Sequence, residues 1–278
     1  MKAFISCDIE GISGITGPEE TDPTKHAHER SRKLMTGDVN AAIEGALLAG
    51  ADEILVNDSH WTMRNVLIEE LNEKAELISG NSKPLTVMQG IDETFDLALF
   101  VGYHARAGTT AAVMDHTIFS RLVSDVWING ILVGETGINA GIAGHFGVPV
   151  GLVTGDDKLA KEATSLLGPI ETAIVKEGID RYAAKCYPLN RTHELIRDAA
   201  RRAIERRKEF KPLKFAAPFK FTVRLASSAE AATTSTLPFV RQEDPRTISV
   251  VSNDFLETFK IFRSMLALAS TRVDEVFG

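Results

Sequence analysis

The chain has 278 residues, 44% of them hydrophobic and 25% charged, and a formal net charge of -7. That length can bury a full core as one large domain or two modest ones, and the composition is that of an ordinary globular protein rather than a disordered one. An acidic balance argues against recognition of a phosphate backbone, which needs an excess of Lys and Arg, so no nucleic acid is expected as partner. No window approaches the roughly twenty apolar residues that span a bilayer, so no membrane is expected either. The apolar stretch at the N-terminus is too short for a signal peptide, which predicts a cytoplasmic protein. Cys7 and Cys186 are too few for a disulfide framework, and neither has a Cys-x-x-Cys neighbour. Any metal is therefore to be held by carboxylates and imidazoles.

Along the chain, strands are predicted at 2–7, 52–57, 95–102 and 148–154, with weaker candidates near 75–79, 84–89, 117–133 and 171–176. Between the first two lies a helix from Glu29 to Ala49, whose Leu34, Val39, Ala42, Ile43, Ala46 and Leu47 recur at helical spacing and stop at Gly50. This alternation predicts an α/β fold, a mostly parallel sheet flanked by helices. After Pro188 the character changes to a basic helix over 192–210, a strand at 214–225, a short helix near 228–233, a strand at 246–251 and a helix over 254–271. We read residues 1–188 as an α/β metal-binding catalytic domain and 189–278 as a smaller α+β domain. The Arg-rich helix has Glu194, Asp198 and Glu205 on it, which suits a solvated face better than a binding patch.

The three strongest of these runs end on metal-binding side chains: the first on Asp8 and Glu10, the second on Asp58 and His60, the third on His104. In an open parallel sheet, ligands bind outside the carboxyl ends of the strands, so these segments can converge. Asp8 and Glu10 sit two apart, on one side of an extended backbone, and two acids there repel unless a cation or proton lies between them. Taken alone, the pair is explained equally by Asp8 turning the loop and Glu10 facing water. His60 is a candidate ligand with Asp58 fixing its tautomer. His60 or His104 alone would more simply be a hydrogen-bonded loop histidine. Glu135, before a helical run at Ala140 to Ala143, is explained by the helix dipole but also supplies a further donor. Asp8, Glu10, His60, His104 and Glu135 make five donors. With one bridging carboxylate these give two ions three contacts each, and oxygen with imidazole suits Zn²⁺, Mn²⁺ or Co²⁺. His116 is a candidate proton carrier, its plain alternative being a loop residue paired with Asp115. His26, His28, His145 and His193 receive no role. Cys7 is expected in the core, and Gly155-Asp156-Asp157 can simply start a helix at Lys158.

Ser6-Cys7-Asp8-Ile9-Glu10-Gly11-Ile12-Ser13-Gly14, Val56-Asn57-Asp58-Ser59-His60, Leu77-Ile78-Ser79-Gly80, Phe100-Val101-Gly102-Tyr103-His104-Ala105-Arg106-Ala107, Val133-Gly134-Glu135-Thr136-Gly137-Ile138-Asn139-Ala140 and Gly155-Asp156-Asp157-Lys158 resemble, in order, the signature blocks of the zinc D-aminopeptidases of the bacterial dipeptide-operon type. The similarity is weakest after residue 190. The resemblance implies a dinuclear zinc hydrolase, two Zn²⁺ per chain, that releases the N-terminal residue of short, D-amino-acid-containing peptides by a metal-bridged water. It also implies a homo-oligomer, a decamer of two stacked five-membered rings. The family's ligands match Asp8, as the bridge, Glu10, His60, His104 and Glu135, and its catalytic histidine matches His116.

Two other readings fit parts of the pattern. A Mg²⁺ phosphohydrolase of haloacid-dehalogenase type shares the acidic strand exit and a later strand followed by Gly-Asp, but leaves His60 and His104 without work. A non-catalytic peptide-binding carrier would use metals only to shape a pocket.

Overall fold

The computed structural model describes residues 1–272. Its elements run in chain order as β1 (Lys2–Cys7), α1 (Pro18–Thr21), α2 (Ala27–Leu48), β2 (Glu53–Asp58), β3 (Ala75–Ile78), β4 (Leu97–Val101), β5 (Val123–Ile128), β6 (Ile131–Val133), α3 (Glu135–His145), β7 (Val150–Asp156), α4 (Asp157–Leu167), β8 (Glu171–Asp180), β9 (Ala183–Cys186), α5 (Leu189–Glu205), β10 (Phe219–Leu225), α6 (Ser228–Thr234), β11 (Arg241–Asp244), β12 (Thr247–Ser252) and α7 (Phe255–Ala269). They gather into two compact units. The larger comprises Met1–Ala105, Thr109–Met114 and Asn139–Leu213, and the smaller comprises Arg106–Gly108, Asp115–Ile138 and the described residues from Lys214 onward.

The larger unit is a seven-stranded sheet in the order β3-β2-β1-β4-β7-β8-β9. Every neighbouring pair is parallel except β8 and β9. β4 and β7 are buried along their whole length. Such continuous apolar runs are what a parallel strand covered on both faces requires. The register levels the strand ends, for Cys7 lies opposite Asp58 on one side and Val101 on the other. From β1 the chain builds outward through β2 and β3, then returns to place β4 on the opposite flank of β1. The carboxyl ends of β1 and β4 thus form a topological switch point, where open sheets of this kind carry their ligands.

α2 and α5 pack on one another, and α5 also packs on β7 and β8. α5 buries Ile196, Ala199, Ala200, Ala203 and Ile204 there. That packing places α5 in the larger unit, so the compact units do not follow the single cut expected after residue 188. The opposite face of α5 is solvated as expected, with Arg197 paired to Glu44, Arg201 to Glu205 and Arg202 to Glu171.

The smaller unit is a five-stranded antiparallel sheet in the order β11-β12-β10-β5-β6. α7 packs on β10 and β12, and its Phe255 and Phe262 meet Phe221 at 5.4 and 5.3 Å between ring centres. The weak strand expected over 117–133 is the hairpin β5–β6, turned at Asn129-Gly130 with φ of 50° and 82°. Two left-handed residues in succession are what a tight hairpin needs. The strand expected at 84–89 is instead a 3₁₀ turn at Thr86–Met88, and the strand expected from 214 begins at Phe219. No helix among the described residues is long and apolar enough to cross a membrane.

Candidate metal centre

Asp8 is the first residue beyond β1, and its amide bonds the carbonyl of Val101 at 2.8 Å. The backbone does not stay extended as the sequence reading assumed. It turns, with the amide of Ile12 on the carbonyl of Ile9 at 3.2 Å. Gly11 makes that turn possible, since its amide reaches the carbonyl of Gly102 at 2.8 Å. A Cβ at Gly11 would stand 1.8 Å from the carbonyl oxygen of Tyr103. The turn, rather than strand alternation, brings the carboxylates of Asp8 and Glu10 together.

His60 lies between these two acids. Its Nδ1 is 3.2 Å from Asp8 Oδ1 and 3.2 Å from Glu10 Oε2, while its Nε2 is 2.9 Å from the carbonyl of Thr21. A carbonyl can only accept, so Nε2 carries the proton and Nδ1 faces the carboxylates. α1 carries that carbonyl on its last residue. Glu20 closes its first turn by accepting from the amides of Thr16 and Gly17 at 2.7 and 3.0 Å, and Thr21 is its buried last residue.

Asp58 does not orient His60 as the sequence reading expected. Its carboxylate accepts from the amides of Asn65 and Val66 and from the Asn65 side chain. It thereby ties down the loop that carries His60, in which Trp61 and Met63 take φ of 47° and 56°. Asn65 in turn donates to the His60 carbonyl at 2.8 Å and meets His28 Nε2 at 3.0 Å. His28, to which the sequence assigned nothing, thus steadies the support; burial holds its pKa below the usual imidazole value.

His104 follows β4 after Gly102, whose φ is 73°. Its Nδ1 is 3.1 Å from the carbonyl of Ala105, which makes Nδ1 the donor and turns Nε2 to Asp8 Oδ2 at 3.4 Å. Both histidines are therefore oriented by backbone carbonyls so that the other nitrogen faces the acids, the orientation in which a neutral imidazole ligates a metal. Asp8, Glu10 and His104 each offer a ligand atom within 4.8 Å of the others, and all three are buried. Burial opposes the ionisation of Asp8, but hydrogen bonds and charge from His104 and His60 outweigh it and hold its carboxyl well below the usual range. Burial likewise opposes charge on His60, and the charge of Glu10 with the bond to Asp8 lifts its pKa well above the ordinary value. Buried acids that pull this hard on positive charge, with imidazole nitrogens beside them, suit zinc.

The remaining sequence candidates belong to the smaller unit. Glu135 is the first residue of α3 rather than a residue ahead of it. Its Oε1 accepts from the amide of Ile118 at 2.8 Å and is 3.8 Å from His116 Nε2. Asp115 accepts from the amide of Gly108 at 2.7 Å.

The Gly-Asp outline of a phosphohydrolase has a structural explanation. Asp156 caps α4, its Oδ1 accepting from the amides of Lys158 and Leu159 at 3.0 and 2.8 Å, and its Oδ2 takes the amide of Val113 at 2.7 Å. Cys7 is a buried core residue.

Sequence reasoning missed Lys176, whose buried ammonium donates to the carbonyls of Glu10, Ile12 and Ile15 at 2.6, 3.0 and 2.6 Å. Burial lowers its pKa to about 8, which leaves it largely cationic at neutral pH. A lysine within the apolar run of β8 was the available signal.

The family model of the D-aminopeptidases matches residues 1–264. This chain belongs to the D-aminopeptidase family. A D-aminopeptidase of Bacillus subtilis (strain 168) is 37% identical over 270 residues, 97% of this chain and 98% of its own length. Among solved structures, the Zn-dependent D-aminopeptidase DppA from Bacillus subtilis, described as a self-compartmentalizing protease, superposes with a TM-score of 0.96 at 37% identity. The match covers 99% of this chain and all of that one. Membership of this family leaves no place for the phosphohydrolase and carrier readings.

Proposed function

We propose that this chain is a zinc-dependent D-aminopeptidase that binds two zinc ions and removes the N-terminal residue from short peptides carrying a D-residue. The observation that carries the reading is the position of His60 Nδ1, 3.2 Å from each of two buried carboxylates and turned to them by the Thr21 carbonyl. Asp8, Glu10, His60, His104 and Glu135 are the proposed ligands, with Asp8 shared between the ions. Bound zinc supplies a Lewis acid for the peptide carbonyl and water acidified toward neutral pH.

The protein's own part is to hold the ligands and move a proton. The Thr21 and Ala105 carbonyls keep His60 and His104 in ligating tautomers. His116 is proposed to donate to the oxyanion or to the departing amine, since an imidazole can give or take a proton near neutral pH. Assembly into a closed decamer belongs to the same reading; its support is the description of DppA as self-compartmentalizing and the likeness of the two folds. Light scattering on the purified protein tests it.

Elemental analysis with turnover on paired D- and L-aminoacyl anilides tests the activity. Two zinc ions per chain with faster D-anilide hydrolysis are expected, and one ion or an L-preference contradicts the reading. His116→Ala should keep its zinc and lose about 10²–10⁴-fold in kcat, the usual yield of a positioned acid or base. Loss of zinc from that variant would show that His116 is a ligand instead.

A further inference from the structure

The turn that carries Glu10 is gripped from two sides by buried charges. Lys176, on β8, is fully buried and spends its three N–H donors on the carbonyls of Glu10, Ile12 and Ile15. Asp38, on α2 and also fully buried, accepts from the amide and the hydroxyl of Ser13, both at 2.9 Å on Oδ2. One group satisfies acceptors of the turn and the other satisfies donors, so cation and anion are bridged by the turn itself.

Stability alone does not call for this arrangement. A buried ion pair is often no better than well-packed apolar side chains of similar volume, because both charges must be stripped of water. A methionine at 176 would have nearly the length of the lysine without its desolvation. What it cannot do is bond three converging carbonyls. The turn comprises residues 9–15, and the only carboxylate in it is Glu10.

We propose that Lys176 is a positioning residue for zinc: with Asp38 as counter-charge, it fixes the turn so that the Glu10 carboxylate is presented beside Asp8. The inference rests on Glu10 being a zinc ligand, as proposed above. Groups that orient a ligand typically carry about 10–100-fold in metal affinity. Lys176→Met should therefore weaken zinc binding by about that factor, measured by competition with a chromophoric chelator. Added zinc should restore much of its turnover on a D-aminoacyl anilide. A residue that only supported the fold would lower the melting temperature of the metal-free protein and leave the zinc affinity of the folded variant at the wild-type value.

If Lys176→Met does not melt cooperatively, Lys176→Arg carries the test. Its planar guanidinium keeps the charge but cannot match three acceptors arranged around an ammonium, so zinc affinity should fall while the metal-free protein still folds. Glu10→Gln is measured beside them. If it leaves zinc affinity unchanged, the ligand assignment fails. If it weakens zinc while a folded Lys176 variant binds as the wild type does, the positioning inference alone is overturned.

Discussion

Gly11→Ala is the smallest change expected to dismantle the metal centre. The added Cβ would lie 1.8 Å from the Tyr103 carbonyl oxygen and 2.5 Å from the Gly102 carbonyl carbon. Both obstacles are backbone, so no side chain can swing away. To reach even 3.0 Å, which real Cβ atoms scarcely undercut, the turn after β1 must withdraw by at least 1.2 Å from the segment that follows β4. Glu10 rides on the first of these segments and His104 on the second. Metal–ligand distances tolerate about 0.2 Å, so this displacement is about sixfold too large for Glu10 and His104 both to keep their places beside Asp8. Overpacking of this kind also costs about 1–3 kcal/mol of stability. Zinc per chain after gel filtration, zinc affinity by chelator competition and thermal melting read the two effects separately. Gly50→Ala is the control. Gly50 has φ of 89° with nothing within 4 Å of its ideal Cβ, so it should lose about 1–2 kcal/mol to left-handed strain and keep all its zinc. Wild-type zinc affinity in Gly11→Ala would refute the argument that this glycine sets the spacing of the ligands.

Asp156→Ala removes the cap of α4 and the acceptor for the Val113 amide. It should lose about 1–3 kcal/mol in urea titration and retain its zinc, whereas zinc loss would contradict the capping role. His193 supplies a pH dependence outside the proposed ligand set. Its bond to Asp38, at 3.4 Å, raises its pKa against the opposing effect of burial. A group with a raised folded pKa stabilises fully below its unfolded value, about 6.5 for histidine, and loses that contribution as pH climbs through the folded value. Melting temperature followed from pH 6.5 upward should therefore decline more steeply in the wild type than in His193→Gln. Parallel curves would show that the pair contributes nothing.

The candidate donors of the proposed metal centre are legible in the sequence and the groups that position them are not, for a physical reason. Asp8, His60 and His104 stand where apolar strands stop, and the parallel order of the sheet levels those stops, so strand ends and residue type together single them out as candidates. The hairpin had a comparable signal in Asn129-Gly130, which a strand assigned over the whole of 117–133 overlooked. Thr86–Met88 misled in the opposite direction. Its β-branched residues suit a strand, yet Thr86 has φ of 47° and the Val87 carbonyl is turned to the Ser6 hydroxyl at 2.8 Å. The groups that orient the ligands are of another kind, because the carbonyls of Thr21 and Ala105 carry no trace of residue identity. Lys176 and Asp38 act on backbone atoms 161 or more residues away in one case and 25 away in the other. A sequence exposes a site where function demands particular side chains. Where function demands only that a peptide group be held, any residue can supply the group, and the evidence shifts to the buried charge that holds it.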